Sequence, residues 1–307
     1  MASFCLALLL LLDSTAKPVS AQTPIATEHM TYITLNGETL YVQGGADPSG
    51  FEGFTDQFFS LDLTRNWIAS SPPWRAFTRA SSSAPPPVTW GHSMTLSHDS
   101  QTVTLWDRKR SYKFNLKTMI WDTPLPLPGN PNDEDSVRAV KDPGGEIVYI
   151  PNGGVNGTNM AAYDSVGNVL ELPMPPPSIM RSEVSGYSAV WSTLRGTMLL
   201  YGGSDSAAAN PQGIPFLVEY NPKTNIWSRV STSGTSPGDL YYHCMVPASD
   251  GTKMVVFGGG DIATRTPLGS IYILDLGSMS WTKGVDIEQG RERSSMACTV
   301  AGDSFIA

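Results

Sequence analysis

Four histidines, three cysteines and two short acidic or glycine-rich runs are the residues on which chemistry could rest. His29, His92, His98 and His243 are scattered along 307 residues, and no two stand at metal-ligand spacing. Tyr242-His243-Cys244 brings three reactive side chains together in the sequence. On a strand, however, the side chain of His243 points away from its two neighbours. A Gly-Xaa-Ser-Xaa-Gly nucleophile turn is absent. Gly258-Gly259-Gly260-Asp261 lacks the lysine and the following helix that a phosphate-binding loop needs. Asp133-Glu134-Asp135 lies among prolines and asparagines and reads as a solvated loop in preference to calcium ligands. The expectation is a chain with no catalytic residues, no cofactor and no metal site.

The composition narrows the partner. Lys and Arg number 20 against 28 Asp and Glu, a formal charge of −8. That balance argues against nucleic acid, which selects basic faces. Phe4 to Leu12 is an apolar run followed by Asp13, too short for the roughly 20 residues that cross a bilayer. With small residues at Val19-Ser20-Ala21 it reads as a secretory signal peptide over residues 1–21, leaving Gln22 first in the mature chain. No later run reaches the length of a membrane span. The expected location is extracellular or at the cell surface. Asn156-Gly157-Thr158 is the one N-glycosylation sequon and is a candidate modification site.

The elements that would position any site follow from a repeat. Trp67, Trp121, Trp227 and Trp281 are spaced so that one further unit fits between the second and third, with Leu170 at the tryptophan position. An Asp or Asn stands six residues earlier at Asn115, Asp164, Asn221 and Asp275, and Asp62 stands five before Trp67. Apolar strands end in paired glycines at Gly44-Gly45, Gly202-Gly203 and Gly258-Gly259, with a weaker version at Gly153-Gly154. The second unit has Leu105-Trp106-Asp107 and no glycines. Each unit therefore reads as four short antiparallel strands. Four-stranded sheets of this size bury their faces by packing around an axis. Paired glycines let one backbone pass close to another, and the tryptophans fill the space between sheets.

Paired glycines after an apolar strand, then Asp or Asn, then Trp, resemble the kelch repeat. The resemblance runs from Ala26 to Ala307 and is similar to that of secreted or membrane-anchored fungal kelch-repeat proteins. It implies an all-β propeller with blades at roughly 27–80, 88–127, 136–176, 184–232 and 240–286, and the start of a sixth over 291–307. An unpaired strand edge and an open ring are expected there, as in a piece of a longer six- or seven-blade ring. The resemblance also implies a non-enzymatic domain that binds a protein partner or a cell-wall glycan. The alternative is a galactose-oxidase-like copper enzyme acting on carbohydrate. His92 and His243 fall at one repeat position where the kelch pattern commonly has His, which favours a structural role for both. Cys244 and Cys298 also occupy nearly equivalent positions. A bridge between them is open, and two buried free thiols are favoured because neighbouring blades splay apart.

Three connections after the glycine strands are long: Ala46 to Gln57, Ser204 to Pro215 and Asp261 to Gly269. They should emerge on one face, where Phe51, Phe54, Ile214, Pro215, Arg265 and Leu268 are candidate binding residues.

Overall fold

The computed structural model describes residues 23–47, 53–77, 84–107, 109–127, 137–151, 159–164, 167–180, 184–204 and 213–307. The signal-peptide reading, Phe51, Asn156, the 133–135 acidic run and Gly153-Gly154 lie outside these residues.

The fold is all-β, with five four-stranded antiparallel blades in a propeller ring. Blade one contains Thr31–Leu35, Thr39–Gln43, Phe58–Asp62 and Arg75–Ala76. Blade two contains Ser93–Leu96, Thr102–Trp106, Arg110–Asn115 and Ile120–Trp121. Blade three contains Val140–Lys141, Val148–Ile150, Asn159–Tyr163 and Val169–Pro173. Blade four contains Ser188–Ser192, Thr197–Tyr201, Leu217–Asn221 and Ile226–Val230. Blade five contains Cys244–Pro247, Lys253–Phe257, Ile271–Asp275 and Ser280–Lys283. A sixth unit is a hairpin of Thr299–Ala301 and Ser304–Ile306.

Local chemistry explains the shape of each blade. The Asp or Asn that closes each third strand turns its carboxyl or amide oxygen back onto the following backbone. Asn115 accepts from the N–H groups of Lys117 and Thr118, Asn221 from Lys223, and Asp275 from Gly277 and Ser278. Asp62 accepts from Thr64 and Asp164 from Asn168. An oxygen at this position stands in for a missing turn bond, which only a short polar side chain can do. Met119, Asn225 and Met279 then take positive φ, two residues before Trp121, Trp227 and Trp281.

Those three tryptophans are buried, and clusters of core residues fill the gaps between blades. Trp121 packs with Phe58 of blade one, Trp227 joins a cluster shared by blades three and four, and Trp281 joins one shared by four and five. Trp227 also donates from Nε1 to the carbonyl of Pro173 on blade three at 2.7 Å. The other two expected positions differ. Trp67 lies outside the strands and is only half-buried, packed on Leu40, Val42 and Leu61 of blade one, where Ala297 of the sixth unit also packs. Leu170 does occupy the tryptophan register, paired with Ala162 as Trp227 is with Tyr220, yet it is 46% exposed. Ala162 offers no ring for it to pack on.

The ring was expected to be open, and its inner circuit is closed. The sixth hairpin touches blade five through Phe257 and Phe305, and through Ser249 Oγ donating to the Gly302 carbonyl. On its other side Thr299 hydrogen-bonds Thr34 of blade one at 2.6 Å, and Ala297 packs on the core of that blade. Cys244 and Cys298 are joined in a disulfide, with Cα atoms 6.3 Å apart. This corrects the free-thiol expectation. Blades diverge with radius, but both cysteines sit at innermost strands, where neighbouring blades are nearest.

Candidate functional site

The paired glycines carry out two separate tasks, which the pairing of strands makes visible. Gly44, Gly202 and Gly258 follow the strand residues paired with Thr31, Ser188 and Cys244. A Cβ on Gly44 would stand 2.8 Å from Cε1 of His92 in blade two, and one on Gly202 would stand 2.6 Å from Cε1 of His243 in blade five. A Cβ on Gly258 would meet Met296 of the sixth unit at 2.6 Å. The first glycine therefore seats a side chain of the next blade. The second faces the incoming segment of its own blade, as Gly45 does with Thr27 and Glu28. Its N–H donates to the next blade, from Gly45 to Thr89, Gly203 to Leu240 and Gly259 to Arg293.

His92 and His243 are thus wedged between blades. Burial, with the charge of Arg138 adding to it, pushes each down to about 3, so both are neutral. His92 Nε2 lies 2.6 Å from Gln43 Oε1, whereas neither ring nitrogen of His243 has a hydrogen-bond partner.

One residue earlier in each unit, main-chain bonds run from blade to blade around the axis. Gly91 N–H donates to His29, Val137 to Gly91, Tyr242 to Gly186, Ser295 to Tyr242 and His29 to Ser295. Gly91 and Gly186 have positive φ, and so do His29, Tyr242 and Ser295, where glycine would cost less. These three strained positions cluster at one mouth of a central cavity of about 540 Å³. All six innermost segments line it.

The same mouth carries an aromatic cluster that the sequence reading missed. The ring of His29 meets Tyr242 edge-on at 4.6 Å and Trp90 at 5.5 Å. Phe54 stacks on Trp90 at 5.8 Å, and Tyr241 contacts Tyr242. Periodicity could have found these positions, because His29, Tyr242 and Ser295 stand where Gly91 and Gly186 stand in other units.

The expected binding residues divide. Phe54 is exposed and belongs to the aromatic cluster. Arg265 and Pro215 are exposed. Ile214 is only 5% exposed and packs in the core between blades three and four, so it faces no partner. Leu268 is half-buried, packs on the core of blades four and five, and bridges Arg293. The bases of the long connections continue the sheets, with Ala46 bridging Phe54, Ser204 bridging Gly213, and Gly260–Asp261 pairing Leu240–Tyr241.

Among the described residues, no three His, Cys, Asp or Glu side chains come together as a metal site. Nor, among the described residues, is any helix long and apolar enough to cross a membrane. Residues 174–307 match the family model described as the KLHDC2/KLHL20/DRC7 Kelch-repeats domain. These residues include blades four and five and the sixth hairpin, and the same four-stranded unit recurs three times before them. No curated protein matches the chain in sequence.

Proposed function

We propose, from the premise that the chain is a kelch-repeat β-propeller protein, that it is a non-enzymatic extracellular binding domain for a protein partner. Kelch propellers are typically protein-binding domains. The observation that carries the reading here is the stack of exposed Phe54 on half-buried Trp90, beside His29 and Tyr242 of the inner ring. Aromatic side chains on rigid positions are the anchors that interfaces favour. Exposed Arg265 lies on another connection of the same face. The secretory location is supported by the leader-like residues 1–21 and by the Cys244–Cys298 bridge, since disulfides persist in oxidising compartments.

The test is retention on immobilised protein of material from the native culture medium, comparing wild type with Trp90→Ala and with Arg265→Glu. Loss of one protein species with the Trp90 variant supports the reading. Retention of polysaccharide instead identifies a cell-wall glycan as the ligand. Equal retention by all three forms refutes binding at this face.

A further inference from the structure

The central cavity carries charge of one sign. Beside His29, His92 and His243, its charged lining among the described residues is Arg138 and Lys141, with no Asp or Glu, in a chain where acidic residues outnumber basic ones. Arg138 also breaks the pattern of its position. Successive main-chain bonds place it where blades two and five have His92 and His243 and the sixth unit has Met296. Those side chains are seated on the first glycine of the preceding blade. Blade two offers no such seat: Ser93 pairs with Trp106, and Asp107 follows where other blades have glycine. The side chain at 138, without a glycine seat, lines the cavity together with His92, His243 and Met296.

Its hydrogen bonds leave most of the guanidinium unused. Nε donates to the carbonyl of Tyr187 in blade four and Nη1 to that of Val137, both at 3.0 Å. Three of the five N–H donors remain, on a planar fork suited to an oxyanion. The charge is felt by Tyr32, His92, Tyr187 and His243, which stand on four blades, as a group near the axis requires. Tyr32 lines the same cavity, and its hydroxyl has only a 3.4 Å contact with Cys298 Sγ. The volume lies within the roughly 300–1,000 Å³ of small-molecule sites.

We propose that this cavity binds a small oxyanion on Arg138, with the Tyr32 hydroxyl as a second donor. The shared chemistry is a singly or doubly charged oxygen anion, either inorganic or the carboxylate of a small molecule.

The experiment is titration of the folded protein at constant ionic strength with sulfate, phosphate, acetate and benzoate, with benzamide as the uncharged counterpart of benzoate. Saturable binding of sulfate or phosphate assigns an inorganic anion, and tighter binding of acetate or benzoate assigns a small carboxylate. Either supports the proposal when Arg138→Gln abolishes it and Tyr32→Phe weakens it by about 2- to 10-fold. Because Arg138 also ties blades three and four together, Arg138→Lys serves as the folded control that keeps the charge and binds more weakly. The proposal is overturned if no probe binds saturably at millimolar concentration, if benzamide binds as well as benzoate, or if a folded Arg138→Gln protein binds as wild type does.

Discussion

Acid should loosen this ring well before it titrates the carboxylates, and the two wedged histidines set the size of the effect. His92 and His243 are held at about 3 in the folded protein against an unfolded value near 6.5. The unfolded chain therefore binds more protons below pH 6.5. The stability contributed by neutral His is complete above that pH and is lost as pH falls toward 3. Each site contributes a slope of about 1.4 kcal/mol per pH unit in this window. By pH 5 the loss is about 2 kcal/mol per histidine and about 4 kcal/mol for both, an appreciable share of a typical folding free energy. Hydrogen-bonded carboxylates such as Asp62 and Asp275, held below their usual value by Thr64 and Ser278, add their own loss only below about pH 4.

The structure supplies its own control substitution. Met296 rests on Gly258 just as His243 rests on Gly202. His243→Met should therefore fold, halve the slope of stability between pH 6.5 and 4.5, and make the protein more stable than wild type at pH 5. Urea denaturation at half-unit pH intervals measures this directly. If wild type and His243→Met lost stability in parallel across the window, the histidines would not be buried and neutral as described.

Three further substitutions test the packing. Removing the Cys244–Cys298 bridge by Cys298→Ala should cost about 4 kcal/mol, the loop-closure value for a separation of 54 residues, read as a fall in the denaturation midpoint. An unchanged midpoint in non-reducing conditions would deny that the bridge forms. Trp227→Ala should cost about 3–5 kcal/mol, whereas Trp227→Phe, losing chiefly the bond to Pro173, should cost about 1 kcal/mol more than a neutral change. Gly202→Ala places a Cβ 2.5 Å from the Leu240 carbonyl at a φ of +67° and should cost about 2–5 kcal/mol. A comparable change at Gly196, also at positive φ but with open space around it, should cost only the backbone part.

What was legible in the sequence and what was not divides along a physical line. The turn oxygens, the glycine pairs and three tryptophans repeat because each meets a demand made by a single blade or by the same neighbour in every gap. Such demands leave a period. Leu170 broke the reading because burial depends on what lies opposite, and Ala162 leaves it without a surface. Ile214 failed for the same reason, since a loop residue near the base of its blade is still within reach of the core. The bridge was misjudged by treating the angle between blades as uniform with radius.

The candidate site was hidden for a different reason: it is made of departures from the repeat. His29, Tyr242 and Ser295 adopt the backbone that Gly91 and Gly186 adopt at equivalent places, and Arg138 replaces a wedged side chain where the preceding blade lacks its glycine seat. A ring needs its units alike only to the extent that each must pack on the next. Main-chain bonds around the axis satisfy that requirement whatever side chain stands at each position. The inner segments are consequently free to vary in the groups they present to the cavity and its mouth. In this chain that freedom gathers aromatic rings at the mouth and unpaired positive charge within, while the glycine pairs keep neighbouring blades in contact.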